Sequence, residues 1–157
     1  MELLIALDLY AELRAVAAAL DAGSIPYALA GGLAVSIYTV PRATEDIDLV
    51  VDPADVERAI PLLTPLGFRK AGAVMRVAGG RLGIQRLTKI EGTDALPLDL
   101  LLPADPTLLA ILNERSAITV EGRPLWIVSL RGLRALKELR GSARDRADLE
   151  ALGTDTP

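Results

Sequence analysis

The sequence predicts an α+β domain: a small mixed β-sheet with helices packed on it and a pair of helices at its C-terminal end. Short runs of Leu, Val and Ile alternate with stretches of helical spacing. The 157-residue length suits one domain, 1–157, with a sizeable core, and the hydrophobic content of 51% excludes a disordered chain. Aromatic residues make up only 3%, so the core must consist mainly of aliphatic side chains.

Composition also limits the chemistry, because the chain contains neither cysteine nor histidine. Disulfides, thiolate metal sites, cysteine nucleophiles and histidine-based acid–base catalysis are therefore excluded. Any catalysis must use carboxylates, lysine, arginine, hydroxyl groups or a metal ion. The net charge of −4 argues against a protein that binds nucleic acid through bulk electrostatics.

The N-terminal segment does not resemble a secretory signal, because Glu2 and Asp8 flank its apolar residues and no basic region precedes them. No apolar run approaches the roughly 20 residues of a membrane span. We therefore expect a cytoplasmic protein with no membrane partner.

The N-terminal half is predicted to alternate helices and strands. Apolar residues at helical spacing predict a helix over 8–21, which Gly23 ends. A short buried strand, 27–30, precedes Gly31-Gly32 and a helix over 33–38. The next strand carries Asp46 and Asp48. Asp52 is then expected to cap a helix that Pro61 kinks or ends.

The C-terminal half is predicted to contain two strand pairs, a long strand and three helices. The strand pairs are 73–77 with 82–90 and 117–120 with 125–128, the second of which could carry Trp126 into the core. Between them we expect the strand that contains Asp99 and a helix over 105–112. Ser129 and Ser142 are the expected N-caps of the last two helices, 130–140 and 143–152, and the tail 153–157 should be frayed.

Asp46 and Asp48 are two residues apart on a predicted strand, so their side chains lie on the same face. Two carboxylates about 4 Å apart repel by ~4 kcal/mol at an effective dielectric constant of 20. Either one of them stays protonated or a cation lies between them, and a hard oxygen-ligated ion such as Mg²⁺ fits. The alternative is that both lie at a solvated strand end and bind nothing.

Gly31 and Gly32 separate a predicted strand from a predicted helix. Glycines at this position let the backbone approach a ligand, and the N–H groups of the helix N-terminus can bind a phosphate. A phosphate site beside a carboxylate pair indicates a nucleoside triphosphate. The alternative is a tight turn that requires a positive φ.

Gly31-Gly32 and the segment Pro41-Arg42-Ala43-Thr44-Glu45-Asp46-Ile47-Asp48-Leu49 together resemble the signature of the polymerase-β-type nucleotidyltransferase superfamily. The form of the second motif is most similar to the small bacterial AbiEii-like branch of minimal nucleotidyltransferases. The resemblance implies a nucleotidyltransferase-like domain with a third carboxylate on a later strand. Asp99 is the candidate, since four leucines occupy the other face of its strand; the competitor, Asp94, lies in an apparent turn.

The C-terminal helices extend the resemblance through Lys137, Arg140, Asp145 and Asp148. It implies that Lys137 contacts the nucleotide phosphates and that Asp145 lies near the active site. Arg42 is expected either to contact phosphate or to pair with an acid. The alternative for the basic helix is a solvated face with surface salt bridges, which contribute little to stability.

The function that this resemblance implies is the transfer of a nucleoside monophosphate from an NTP, such as ATP, to a hydroxyl group. Two Mg²⁺ ions would be held by Asp46, Asp48 and Asp99. The acceptor stays open between an RNA end such as that of a tRNA, a protein and a small molecule, and a cognate toxin or antitoxin is a candidate partner. The alternatives are a catalytically silent binding or antitoxin subunit and a metal-dependent nuclease.

Overall fold

An eight-stranded sheet organises the part of the chain that the structure, a computed structural model, describes: residues 7–39 and 45–153. Its strands are β1 (Tyr27–Ala30), β2 (Ile47–Val51), β3 (Arg69–Lys70), β4 (Met75–Val77), β5 (Leu82–Glu91), β6 (Asp94–Pro103), β7 (Ser116–Val120) and β8 (Arg123–Ile127). They are ordered β3-β5-β6-β2-β1-β8-β7, and β4 pairs with β5 along the same edge as β3.

The sheet is mixed, as the sequence predicts. β2 pairs with β6 and β1 with β8 in parallel, whereas β1 with β2, β5 with β6 and β7 with β8 are antiparallel. The predicted α+β class with a mixed sheet is thus confirmed. The parallel pairing of β2 with β6 is the connection that matters for the site, because it makes neighbours of two segments that are far apart in sequence.

Six α-helices accompany the sheet in the described residues: α1 (Leu9–Ala22), α2 (Gly31–Tyr38), α3 (Val56–Leu63), α4 (Pro106–Asn113), α5 (Leu130–Arg140) and α6 (Ala143–Leu152). Side chains of Asp8, Asp105, Ser129 and Ser142 accept hydrogen bonds from backbone N–H groups at the starts of α1, α4, α5 and α6. The predicted C-terminal helical pair is therefore present. None of the described helices is long and apolar enough to cross a membrane.

Three local expectations differ from the structure. α2 begins at Gly31, two residues before the predicted start. Of the two effects expected of Pro61, a kink or the end of the helix, the second is not observed at that residue, because α3 continues to Leu63. Glu57 and Pro61 lie on the exposed side of that helix, where water can bond to the carbonyl that proline leaves without its helical donor. Trp126 is only partly buried, and the guanidinium carbon of Arg115 lies 4.0 Å from its ring centroid.

The two faces of β6 have different environments. Leu96, Leu98, Leu100 and Leu102 are buried on one face, within a core made almost entirely of aliphatic side chains. Because side chains alternate along a strand, Asp99 lies on the opposite face. The fold thus directs one acid of this apolar strand away from its leucine face, as predicted.

Candidate active site

A transverse row of residues crosses four neighbouring strands. Ala30 of β1 is paired with Asp48 of β2, which is paired with Asp99 of β6, which is paired with Arg86 of β5. Residues paired in this way point to the same face of a sheet. The row therefore brings the side chains of Asp48 and Asp99 together, although the two residues lie on segments distant in sequence.

Asp46 completes an acidic cluster with these two residues. It lies immediately before β2, and one carboxylate oxygen from each of Asp46, Asp48 and Asp99 lies within 4.8 Å of the others. The structure thus assembles all three predicted acids at one end of β2. Arg42, the other predicted site residue in this segment, lies outside the described residues.

Burial makes this cluster electrostatically costly. Asp48 is 5% exposed and Asp99 is 3% exposed, while Asp46 is partly buried. Burial first, and then repulsion from Asp46 and Asp99, raise the pKa of Asp48 from 3.8 to about 7. The Oδ1 atom of Asp48 is buried and has no hydrogen-bond partner among the described residues. An unbonded buried carboxylate oxygen is the feature that a bound cation would satisfy.

Arg86 is the residue of this site that the sequence reasoning missed. Its Nε donates to Oδ1 of Asp99 at 2.8 Å and its Nη2 donates to Oδ2 at 3.0 Å, which is a bidentate ion pair. The register of the β5–β6 hairpin could have identified it. A two-residue turn at Gly92-Thr93 pairs Glu91 with Asp94, and the same antiparallel register pairs Arg86 with Asp99. Arg86 therefore fixes the orientation of the third carboxylate.

Gly31 is required by the close approach of α2 to Asp48. Its φ is +65°, and a Cβ atom at this position would lie 1.9 Å from Oδ2 of Asp48. Of the two glycines, Gly31 alone has a positive φ, the backbone conformation that the alternative role of this pair requires. Phosphate binding by Gly31 and Gly32 stays a prediction, and the first turn of α2 does begin beside the acidic cluster.

Lys137 lies between two carboxylates. Its Nζ is 3.1 Å from Oδ1 of Asp145 and 2.8 Å from Oδ2 of Asp148, and all three residues are buried. Burial raises the pKa of Asp145, but the hydrogen bonds from Ser142 and Lys137 outweigh it and hold that pKa below the ordinary value. The cluster joins α5 to α6. The predicted contact of Lys137 with phosphate stays a prediction, and in the structure its ammonium group is already paired.

Arg140 lies one helical turn beyond Lys137 and is exposed. Its charge lowers the pKa of Asp48, and does so more than the charge of Lys137. Within the described part of the chain Arg140 makes no side-chain hydrogen bond or ion pair at the distances of a direct contact. The C-terminal end of α5 therefore contributes positive potential to the acidic cluster.

The residues present fit a divalent metal ion. The cluster offers an all-oxygen donor set from three carboxylates, one of whose oxygens is buried and unbonded. Mg²⁺ prefers such ligands, and its charge would offset the repulsion that raises the pKa of Asp48. Asp46, Asp48 and Asp99 are the residues that would hold it.

The overall fold that carries this acidic row matches that of solved nucleotidyltransferases. The chain is similar to the lincosamide antibiotic adenylyltransferase LnuA in its lincomycin-bound structure, with a TM-score of 0.59, 16% identity, and 93% of this chain and 97% of that chain covered. The antibiotic-resistance factor ANT(2'')-Ia matches with a TM-score of 0.60 and 16% identity over 90% of this chain and 80% of that one.

TM1012 of Thermotoga maritima matches with a TM-score of 0.64 and 12% identity over 90% of this chain and 89% of that one. No protein-family model matches the chain, and no curated protein does either. At these identities the similarity establishes the fold. It does not distinguish the AbiEii-like branch, which stays a prediction.

Proposed function

We propose that the protein is a metal-dependent nucleotidyltransferase that moves a nucleoside monophosphate from an NTP to a hydroxyl group. The observation that carries this proposal is the cluster of Asp46, Asp48 and Asp99, with oxygens within 4.8 Å of one another, beside the glycine start of α2. The same observation supports binding of a divalent metal. The fold shared with a lincosamide antibiotic adenylyltransferase and with an antibiotic-resistance factor is consistent with this activity.

Each residue of the site has a distinct task in this reaction. Asp46, Asp48 and Asp99 would hold the metal, which would supply activation of the acceptor hydroxyl and offset the charge of the triphosphate. Gly31 lets α2 begin close to Asp48, and the free N–H groups of its first turn bind the β- and γ-phosphates. Arg86 keeps Asp99 in one orientation.

The chemical step forms a bond from the acceptor oxygen to the α-phosphorus and breaks the bond from that phosphorus to pyrophosphate. The hydroxyl proton passes to a carboxylate of the cluster and then to water, because the chain has no histidine to receive it. The acceptor is an RNA end, a protein hydroxyl or a small molecule. A role in a toxin–antitoxin or abortive-infection system is compatible with the first two.

The test combines nucleotide binding with group transfer. Thermal unfolding is followed with each of the four NTPs, with and without Mg²⁺, and α-labelled NTP is then incubated with cell extract. We expect metal-dependent stabilisation by at least one NTP and label transfer that Asp46→Asn abolishes. Asp55→Asn, which changes a carboxylate at the start of α3, serves as the matched control. Absence of nucleotide stabilisation, or nucleic-acid cleavage without NTP, would contradict the proposal.

One observation favours a second candidate, a catalytically silent nucleotide-binding or antitoxin subunit. Arg86 engages both oxygens of Asp99, so it competes with a metal ion for the third carboxylate. In that case NTP would stabilise the protein but no component of the extract would receive label in an Asp46-dependent manner. Transfer by the wild-type protein excludes this candidate.

A further inference from the structure

The sheet ends on one side at β7, which pairs only with β8 in the part of the chain that the structure describes. Its five residues are Ser, Ala, Ile, Thr and Val, so the strand carries no charge, proline or glycine. Three of its residues are exposed and the other two are partly buried. An uncharged edge strand of this length is a template on which a further strand can pair.

The opposite edge of the sheet has the protection that β7 lacks. It is formed by β3 and β4, which are two and three residues long. Both strands carry positive charge, from Arg69 and Lys70 on β3 and from Arg76 on β4. Short strands and cationic side chains are devices by which proteins keep a sheet edge from pairing. The chain therefore blocks one edge of its sheet and leaves the other available.

The backbone groups that β7 presents at its outer edge follow from the hydrogen bonds of β8. Trp126 donates its N–H to the hydroxyl of Tyr27, a β1 residue, at 3.3 Å and thus away from β7. Successive residues of a strand direct their backbone groups to alternate sides, so the N–H and C=O of Ala117, which is paired with Trp126, point away from β8. The same holds for Thr119, whose partner Pro124 has no N–H to donate. The N–H and C=O groups of both β7 residues are therefore available to a further strand.

We propose that β7 pairs antiparallel with β7 of a second copy of this chain, on a two-fold axis at Ile118. In this register the N–H and C=O of Ala117 bond to the C=O and N–H of Thr119 in the second copy, and the symmetry repeats the exchange. Ile118 meets its own copy as a non-hydrogen-bonded pair, in which the Cα atoms lie about 4.5 Å apart and the side chains are in contact. The outward backbone groups of β7 are then satisfied.

Self-complementarity favours a second copy over a strand of another protein. Arg115 and Glu121 flank the strand with opposite charges, and the same axis relates them because each lies three residues from Ile118. They already contact Trp126 and Arg14 within the chain, so they attract each other across the axis without forming a new ion pair. Pairing also ends at two copies, because the opposite edge of each sheet is protected.

The proposed axis is perpendicular to the sheet, so the acidic clusters of both copies lie on the same face of the joined sheet. The path from β2 of one copy through β1, β8 and β7 to β2 of the other is seven strand spacings, or roughly 34 Å at about 4.8 Å each. At this separation neither copy contributes a residue to the cluster of the other. Association can therefore be tested separately from nucleotide binding.

Disulfide cross-linking tests the register, because the chain has no cysteine and a single introduced thiol can bond only to that of a second copy. Ile118→Cys places its thiol on the axis, where the expected Cα separation of about 4.5 Å lies within the range of disulfides. The matched control on the same strand is Ser116→Cys, whose two copies would be offset by about 14 Å along the strands. Under mild oxidation we expect a covalent dimer from Ile118→Cys and none from Ser116→Cys.

Sedimentation velocity over a range of protein concentrations measures the association itself. Thr119→Pro removes an N–H that points away from β8, and Ala117→Lys adds a charge at the edge. We expect each variant to raise the dimer Kd at least tenfold, as for the loss of two symmetry-related hydrogen bonds. Ala117→Thr, which keeps the position uncharged, should leave the Kd unchanged. Thermal unfolding with NTP and Mg²⁺ should give every variant the response of the wild-type protein.

Three outcomes would overturn the inference: equal cross-linking of the two cysteine variants, equal association of Ala117→Lys and Ala117→Thr, or a wild-type protein that stays monomeric up to submillimolar concentration. The last result would leave the β7 edge to a strand of a different protein. Failure of the proposed nucleotidyl transfer is recognised separately, because no NTP would then stabilise either the dimer or its monomeric variants in the presence of Mg²⁺.

Discussion

Replacing Asp48 by asparagine should stabilise the metal-free protein at high pH. The substitution keeps the size of the side chain but removes its charge. In the wild-type protein, burial and the two neighbouring acids disfavour the charged carboxylate and raise the pKa of Asp48 from 3.8 to about 7. In the folded state this carboxyl therefore holds its proton at pH values at which the unfolded chain has already lost it.

The size of the stability difference between Asp48→Asn and the wild-type protein follows from the linkage between proton binding and folding. Between pH 3.8 and about 7 the folded state binds one more proton than the unfolded state, so the free energy of unfolding falls as the pH rises. Each unit of pKa difference corresponds to about 1.4 kcal/mol, so a difference of about three units gives a penalty of about 4 kcal/mol that is complete above pH 7. Asp48→Asn lacks this penalty and should match the wild-type protein near pH 4.

The assay is urea unfolding in EDTA between pH 4 and pH 9. The stability of Asp48→Asn relative to wild type should increase with pH and level off above pH 7. Mg²⁺ should stabilise the wild-type protein and have little effect on the variant. Asp8→Asn, which keeps an efficient helix cap while removing an acid, is the control. A stability difference that does not change with pH, or a variant less stable than wild type at pH 8, would refute the reasoning.

Arg86→Gln should lower kcat with little change in the KM for NTP in steady-state kinetics, because it frees Asp99 without altering the phosphate site. Arg86→Lys should recover only part of the rate, since lysine cannot form the bidentate pair. Gly31→Ala should abolish Mg²⁺-dependent stabilisation in thermal unfolding, because its Cβ would lie 1.9 Å from an oxygen of Asp48, whereas Gly122→Ala, with a positive φ but open space, should retain it. Lys137→Met removes the ammonium group that lies between two buried carboxylates of α6 and should lower the free energy of unfolding by about 3–5 kcal/mol in urea titrations. An unchanged stability would contradict the role of this lysine as the link between α5 and α6.

The acidic cluster could be predicted because two of its members, Asp46 and Asp48, lie two residues apart in the sequence. Strand alternation alone places Asp46 and Asp48 on one face, and the leucines around Asp99 show which way that residue points. The helix caps at Ser129 and Ser142 were equally accessible, since capping depends on the few residues that follow. These features need no knowledge of which strands are neighbours.

The partners of the site residues could not be predicted in the same way, because they depend on pairing between elements. Arg86 acquires its role only through the register of β5 with β6. The ion pairs of Lys137 with Asp145 and Asp148 arise only from the packing of α6 against α5, and its contact with phosphate stays a prediction. The requirement for glycine at position 31 depends on the position of Asp48, which follows only once β1 is paired with β2.

The parallel pairing of β2 with β6 also has a consequence for the biogenesis of the protein. During synthesis the ribosome releases Asp46 and Asp48 long before Asp99, and no local hairpin can join them, so the complete ligand set arises only when the central strands have met. Under the proposed metal binding, an unfolded or half-made chain lacks the assembled cluster, and Mg²⁺ would stabilise the folded protein by an amount set by its concentration relative to the dissociation constant. Cation availability and the yield of native protein would then be coupled from the moment translation ends.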